Sequence, residues 1–295
     1  MAFIYEFVIN LGIFLLVAIG LMIIYGVMGI INMAQGEFIM LGAYVSSYVV
    51  ARGHIPFVVG VLAAFLAAAA FGAVVERLII RRLYGDIIMG LVATWGLSLF
   101  ISGSVLLLLG PSGAAVQMPV GSHVSVGRET YGVYPLLICG VATLILLGLN
   151  QLLQRSQWGV ELRATIYNRN MAAALGVRTD LINVSGFALG TGLAGVAGAF
   201  LAPLSALTPT MGATYLPTAF ITVVVAGSSH IVGSLLMAGV VLALAFTIGI
   251  HNSNGLIGLF CMFGTALVII PFAPNGLSDK MNELQSVLKG ALRRS

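Results

Sequence analysis

The sequence predicts an all-α fold, a polytopic integral membrane helical bundle with about eight to ten transmembrane segments, one or two of them short or broken. Charged residues make up 7% of the 295, against about 25% in an ordinary soluble domain, and 60% are hydrophobic. A soluble domain of this size could not be kept dispersed by nine acidic and thirteen basic residues. The mean hydropathy of +1.10 agrees. Most apolar runs continue for 17 or more residues, whereas barrel strands alternate apolar and polar residues over about ten, so the spans are helical.

The first run, Phe7 to Ile31, has no basic region ahead of it and is too long for a leader, so it reads as a retained span. Phe38 to Ala51 follows closely. At 1.5 Å per residue it cannot comfortably cross a core about 30 Å thick. Between and around them lies Tyr25 to Tyr44, YGVMGIINMAQGEFIMLGAY, which sets Asn32, Gln35, Gly36 and Glu37 among lipid-compatible residues. A carboxylate at the bilayer centre costs about 2.5 kcal/mol or more, so Glu37 is expected to face protein, water or freed backbone donors. Two placements fit: a tight polar turn at the cytoplasmic boundary, or a helix break inside the bundle beside a translocation path.

Phe57 to Val75, Ile87 to Leu109 and Val133 to Leu149 are the next spans, the second carrying Trp95 in LVATWGLSL. The longest polar interval, Gln151 to Asn183, contains GVELRATIYNRNMAAALGV. Leu162, Ile166, Ala173 and Val177 fall near one side of a 3.6-residue repeat, which predicts one amphipathic helix outside the bilayer, ended near Gly176. In Ser185 to Pro203, Gly186, Gly190, Ala194 and Gly198 recur every four residues, a smooth stripe for close helix packing. Ala213 to Ala226 is again short, and Gly233 to Ile250 and Leu256 to Phe272 complete the set.

Three basic clusters lie outside the apolar runs: Arg77, Arg81 and Arg82; Arg155, Arg163, Arg169 and Arg178; and, after the last run, Lys280, Lys289, Arg293 and Arg294. Eleven of the thirteen basic residues fall there, leaving Arg52 and Arg128 for the other face. One orientation satisfies all three, with these regions and the C-terminus cytoplasmic. Charge does not decide the side of the N-terminus. The chain reads as a single transmembrane domain, 1–295, with extracytoplasmic loops 110–132 and 204–215 and a cytoplasmic segment 151–183.

Several chemistries are excluded. The basic residues form no single patch for nucleic acid. Only two lysines exist and neither follows a phosphate loop, so the chain does not hold ATP in the usual way. His54, His123, His230 and His251 are scattered, and Cys139 and Cys261 lie inside apolar runs, so neither a catalytic set nor a metal site is expected. Transport remains. Glu37 is the only acid well inside the apolar map, which weakens ion coupling. The cytoplasmic helix favours a permease driven by a separate ATPase over a channel.

The residues then carry a resemblance. YGVMGIINMAQGEFIMLGAY resembles the N-terminal signature of the permeases of the branched-chain (hydrophobic) amino acid uptake family of ABC importers. In the same order, WGVELRATIYNRNMAAALGV is similar to that family's cytoplasmic motif, and GFALGTGLAGVAGAFLAP to the small-residue span after it. The resemblance implies a subunit of a bacterial-type inner membrane, paired with a homologous permease or with itself. It also implies two ATPases, which would hold ATP and Mg, and an extracytoplasmic binding protein; this chain would need no cofactor. Gly159, Arg163, Ala164, Asn168, Ala172 and Gly176 would couple to the ATPase, and both extracytoplasmic loops would face the binding protein. Gln35 stands where the family usually has His, and AGSSHIVGS replaces a glycine-rich turn. Trp95 resembles the urea and short-chain amide branch, giving that substrate a narrow lead over branched-chain amino acids. The alternative is a facilitative urea or amide channel without ATP coupling.

Overall fold

A computed structural model of the protein describes residues 2–29, 32–53, 55–84, 86–111, 119, 123–126, 129–227, 231–252, 255–273 and 276–277. The third basic cluster, most of loop 110–132 and Ser228 to His230 of AGSSHIVGS lie outside the described residues. Among the described residues, seven helices are long and apolar enough to cross a membrane. They are α1 (Ala2–Met28), α3 (Phe57–Leu78), α4 (Ile87–Leu109), α5 (Val133–Arg155), α8 (Thr179–Leu201), α10 (Ile231–Asn252) and α11 (Gly255–Phe272). Two shorter helices, α2 (Gln35–Gly53) and α9 (Met211–Ala226), have 19 and 16 residues and correspond to the two short apolar runs. The cytoplasmic interval holds α6 (Gln157–Tyr167) and α7 (Arg169–Ala174).

The 110–132 loop adds one feature to the expected all-α bundle. Strands β1 (His123–Val126) and β2 (Glu129–Gly132) pair antiparallel, with Val124 opposite Tyr131.

Helix α8 is the hub, packed on α1, α2 and α3. Its small residues permit this. Gly190 faces Gly20 of α1, Gly195 faces Ala64 of α3, and Gly198 rests on the Ile39 carbonyl of α2, so close that a Cβ there would collide with backbone. Gly186 and Ala194 are buried in the same helix. By contrast α4 leans chiefly on α2 and on the 3₁₀ turn Ile80–Leu83. It stands off α3 across an apolar groove of about 380 Å³, lined by Phe71, Leu78, Gly96 and Phe100 among others.

Long-range contacts sort the helix ends onto two sides. The Tyr5 hydroxyl donates to the Gly132 carbonyl (2.9 Å), and Glu6 lies 3.4 Å from His251, so the start of α1 shares a side with the hairpin. On the opposite side Arg81 and Arg169 both pair with Asp180. The side of the N-terminus, which charge leaves open, is thereby fixed relative to the arginine clusters.

One expectation is narrowed. The loop 204–215 is irregular only as far as Thr210: Met211 already begins α9, and Leu207, Met211 and Gly212 are buried. The chain turns back into the bundle because Gly212 lets α9 start in backbone contact with Gly36. Cys139 and Cys261 are free thiols but only partly buried.

Candidate functional site

The polar stretch near Asn32 is built from the inside of the bundle. Helix α1 stops with Gly29 in the left-handed region (φ 62°), its N–H donating to the Tyr25 carbonyl. The residue needs that conformation, which glycine adopts without a Cβ penalty. The Asn32 side-chain oxygen then accepts from the Ala34 N–H (3.1 Å), and its carbonyl accepts from Gln35 N–H (3.3 Å), a local turn that launches α2.

Glu37 falls in the first turn of α2, where a negative charge is favoured by the helix dipole. It is 5% exposed. Ser98 of α4 donates its hydroxyl to Glu37 Oε1 at 2.5 Å. On the other side, Glu37 Oε2 abuts Gly212 in the first turn of α9, where a Cβ would strike both this oxygen and the Gly36 carbonyl. The carboxylate is thus placed beside the N-terminal ends of two short helices. Thr94, one turn before Ser98, accepts from the Met33 N–H (3.2 Å). Ser98 is eleven residues into α4, about 16 Å from its arginine-side end, roughly half of a core about 30 Å thick. The turn is enclosed by α1, α4 and α9, through Gly20, Thr94, Ser98 and Gly212.

Asn32 and Gln35 are 1% and 0% exposed. Asn32 Nδ2 and both polar atoms of the Gln35 amide find no hydrogen-bond partner among the described residues. An unpaired buried amide costs about 1–3 kcal/mol, so these groups are poor choices for mere packing.

Trp95 does not join this site. Gly90, Thr94, Leu97, Ile101 and Val105 form the buried face of α4, while Trp95 is 55% exposed on the outward face. The functional neighbours missed in the sequence are Thr94 and Ser98, two hydroxyls spaced to share a helix face. That spacing inside an apolar run was the available signal.

The residues that the resemblance assigns to coupling lie together on the arginine side, but on two helices. Ser156 caps α6 by accepting from Gly159 N–H (2.9 Å), and Gly159 has no room for a Cβ against the carbonyls of Leu152 and Leu153. Asn168 leaves helical geometry (φ −158°, ψ 102°) and caps α7, accepting from Met171 N–H (3.0 Å). The expected single helix is therefore broken at Asn168, because an Asn side chain competes for the backbone donors. The break shifts the helical phase, so Ala172 is buried and Ala173 exposed, the reverse of the unbroken repeat. Gly176 (φ 88°) closes α7, with Val177 N–H on the Ala172 carbonyl and Gly176 N–H on Ala173. Arg163 is exposed and Ala164 partly buried. The outward side carries Tyr167, Met171 and Leu175, which are strongly exposed and recur every four residues.

Where this segment meets the bundle, the Arg169 guanidinium lies 4.7 Å from the Tyr84 ring centroid. The Tyr84 hydroxyl donates to Glu76 Oε1 (2.5 Å). Burial, and then the Glu76 carboxylate, push the Tyr84 phenol well above its ordinary value, so it remains a donor at any working pH. Among the described residues, no group of His, Cys, Asp and Glu could hold a metal ion.

Comparison with known proteins bears on the whole chain. A family described as the permease component of the branched-chain amino acid transport system matches residues 3–291. The chain is 28% identical over 279 residues to the high-affinity branched-chain amino acid transport system permease protein BraD of Pseudomonas aeruginosa, covering 89% of this chain and 90% of that protein. It is 29% identical over 245 residues to the corresponding protein LivH of Escherichia coli K12, covering 78% and 79%. A probable branched-chain amino acid transport permease protein LivH of Methanocaldococcus jannaschii is 27% identical over 291 residues, covering 90% and 89%. No solved structure matches.

Proposed function

The chain belongs to the family of branched-chain amino acid transport system permease components, and we propose that it is the membrane subunit of an ATP-driven importer carrying branched-chain amino acids. Members of this family move a solute and are not enzymes. In this reading the chain pairs with a homologous permease or a second copy, receives its solute from an extracytoplasmic binding protein, and is driven by two ATPase subunits that hold ATP and Mg. The arginine-rich side is cytoplasmic, as is the C-terminus, and the hairpin side meets the binding protein.

The observation that carries the reading is the break at Asn32 to Glu37, deep in the bundle and joined by the N-terminal end of α9. Discontinuous helices meeting at mid-depth are how membrane transporters present polar groups to a solute. Gln35 and Asn32 offer amide donors and an acceptor that no described neighbour occupies. The relatives' names favour branched-chain amino acids over urea or amides, and Trp95, which favoured amides, faces away from the turn.

The test is uptake of radiolabelled leucine into proteoliposomes holding this chain with its partner permease, ATPases and binding protein. Uptake that requires both ATP and binding protein is expected. Urea equilibrating through the chain without ATP would replace this reading by a facilitative channel.

A further inference from the structure

A line of specific contacts runs from the cytoplasmic helices to the polar turn. Asp180, at the start of α8, pairs with Arg169 of α7 (3.2 Å) and with Arg81 of the 3₁₀ turn. Arg169 also covers the Tyr84 ring, and Tyr84 is hydrogen-bonded to Glu76 at the end of α3. Two residues on, Asp86 caps α4 by accepting from Met89 N–H (3.0 Å). Helix α4 then delivers Thr94 to Met33 and Ser98 to Glu37. A helix with few other attachments can move as one body, because little packing has to be broken.

We infer that Arg81, Tyr84, Arg169 and Asp180 are positioning residues that transmit displacement of α7 through the 3₁₀ turn to α4, and so to the Asn32–Glu37 turn. This rests on the reading that α6 and α7 receive an ATPase. Arg81 and Asp180 have side chains 43% and 48% exposed, and ion pairs this open add little to stability. What the cluster does supply is geometry. One carboxylate is shared by two guanidinium groups from different elements, and one of these also stacks on an aromatic ring, so a displacement of α7 is passed to the turn through these contacts.

The experiment uses the assembled importer in proteoliposomes, with spin labels at Leu107→Cys in α4 and Leu144→Cys in α5, and with Cys139 and Cys261 replaced by Ala. In this background ATP is expected to change the label distance. With Asp180→Asn added, the ATPases should still copurify and hydrolyse ATP, uptake per ATP should fall about tenfold, and the label distance should no longer respond. Asp180→Glu should restore both. Unchanged uptake per ATP in Asp180→Asn would overturn the relay, as would loss of ATPase binding in that variant, since Asp180 would then act in docking. The underlying reading fails separately: if Tyr167→Ala with Met171→Ala leaves ATPase copurification undiminished, α6 and α7 are not the docking surface.

Discussion

Helices α4 and α8 are both 23 residues long and both apolar enough to span a bilayer, yet 72% of the α8 span is buried and only 22% of α4. The more buried helix is the less hydropathic one. In lipid, hydropathy does not drive a helix inward, since acyl chains solvate Leu as well as another Leu does. Contact does, and contact depends on how closely backbones approach. Helix α8 meets its neighbours with glycine at positions 190, 192, 195 and 198, whereas α4 turns Leu99, Phe100, Leu107 and Leu108 outward. What holds α4 is a narrow buried face, Leu97, Ile101 and Val105, together with the polar bonds of Thr94 and Ser98. One helix is scaffold, and the other is hung from it.

The sharpest way to break this contrast is to make the same substitution in both helices. Gly198→Ala puts a methyl group into the Ile39 carbonyl, whereas Gly103 of α4 has nothing within 4 Å of the added carbon. We expect Gly198→Ala to destabilise by at least about 2 kcal/mol, because backbone on both sides has to shift. Gly103→Ala should stay within about 1 kcal/mol of the parent, on the stabilising side. Thermal unfolding of the detergent-purified protein, read by circular dichroism, compares them directly. Similar losses for both would show that α4 is packed as α8 is.

A smaller effect is expected where α4 is tethered. Ser98→Ala removes the hydroxyl from Glu37 and leaves the carboxylate with one fewer donor. Hydrogen bonds to charged groups contribute about 1.5–3 kcal/mol net in soluble proteins, and interhelical bonds in membranes average about 0.6 kcal/mol. A loss of about 1 kcal/mol in stability is therefore the expected scale, accompanied by slower uptake. Glu37→Gln keeps a side chain of the same shape that can still bond Ser98. ATP-driven uptake by that variant should persist without dependence on an imposed pH gradient. Uptake that follows such a gradient in the parent and not in Glu37→Gln would make Glu37 a proton carrier.

The features legible in the sequence are those set by local chemistry. Continuous apolar runs gave the spans, the two short runs became α2 and α9, and Gly176 closed the cytoplasmic segment because its left-handed geometry suits glycine. The features missed were those set by distant partners or by competition. The break at Asn168 came from a side chain competing with backbone hydrogen bonds, a tendency that the apolar repeat concealed. The side of the N-terminus rests on Tyr5 reaching Gly132, a contact between residues 127 apart in sequence. The loop 204–215 reads past Thr210 into what is the first turn of α9, because nothing local shows that Gly212 will meet Gly36. In α4, Trp95 carries the resemblance to the amide branch, while the plainer Thr94 and Ser98 touch the turn.

The smallest effect should belong to Trp95 itself, and it sharpens the contrast from the lipid side. Its ring lies on the outward face of α4, 55% exposed, with Leu99 and Phe100 close by in sequence and also exposed. In an assembled importer that face meets acyl chains or a neighbouring subunit, either of which accepts a smaller apolar residue at modest cost. Trp95→Leu keeps the face apolar and preserves the helix, since Leu is a better helix former than Trp. We expect uptake within about twofold of the parent, under about 0.5 kcal/mol in transition-state terms, with the preference between leucine and urea unchanged. Competition of radiolabelled leucine uptake by unlabelled urea measures this. A variant that gains sensitivity to urea would put the Trp95 face on the translocation path, and α4 would then line it with both of its sides.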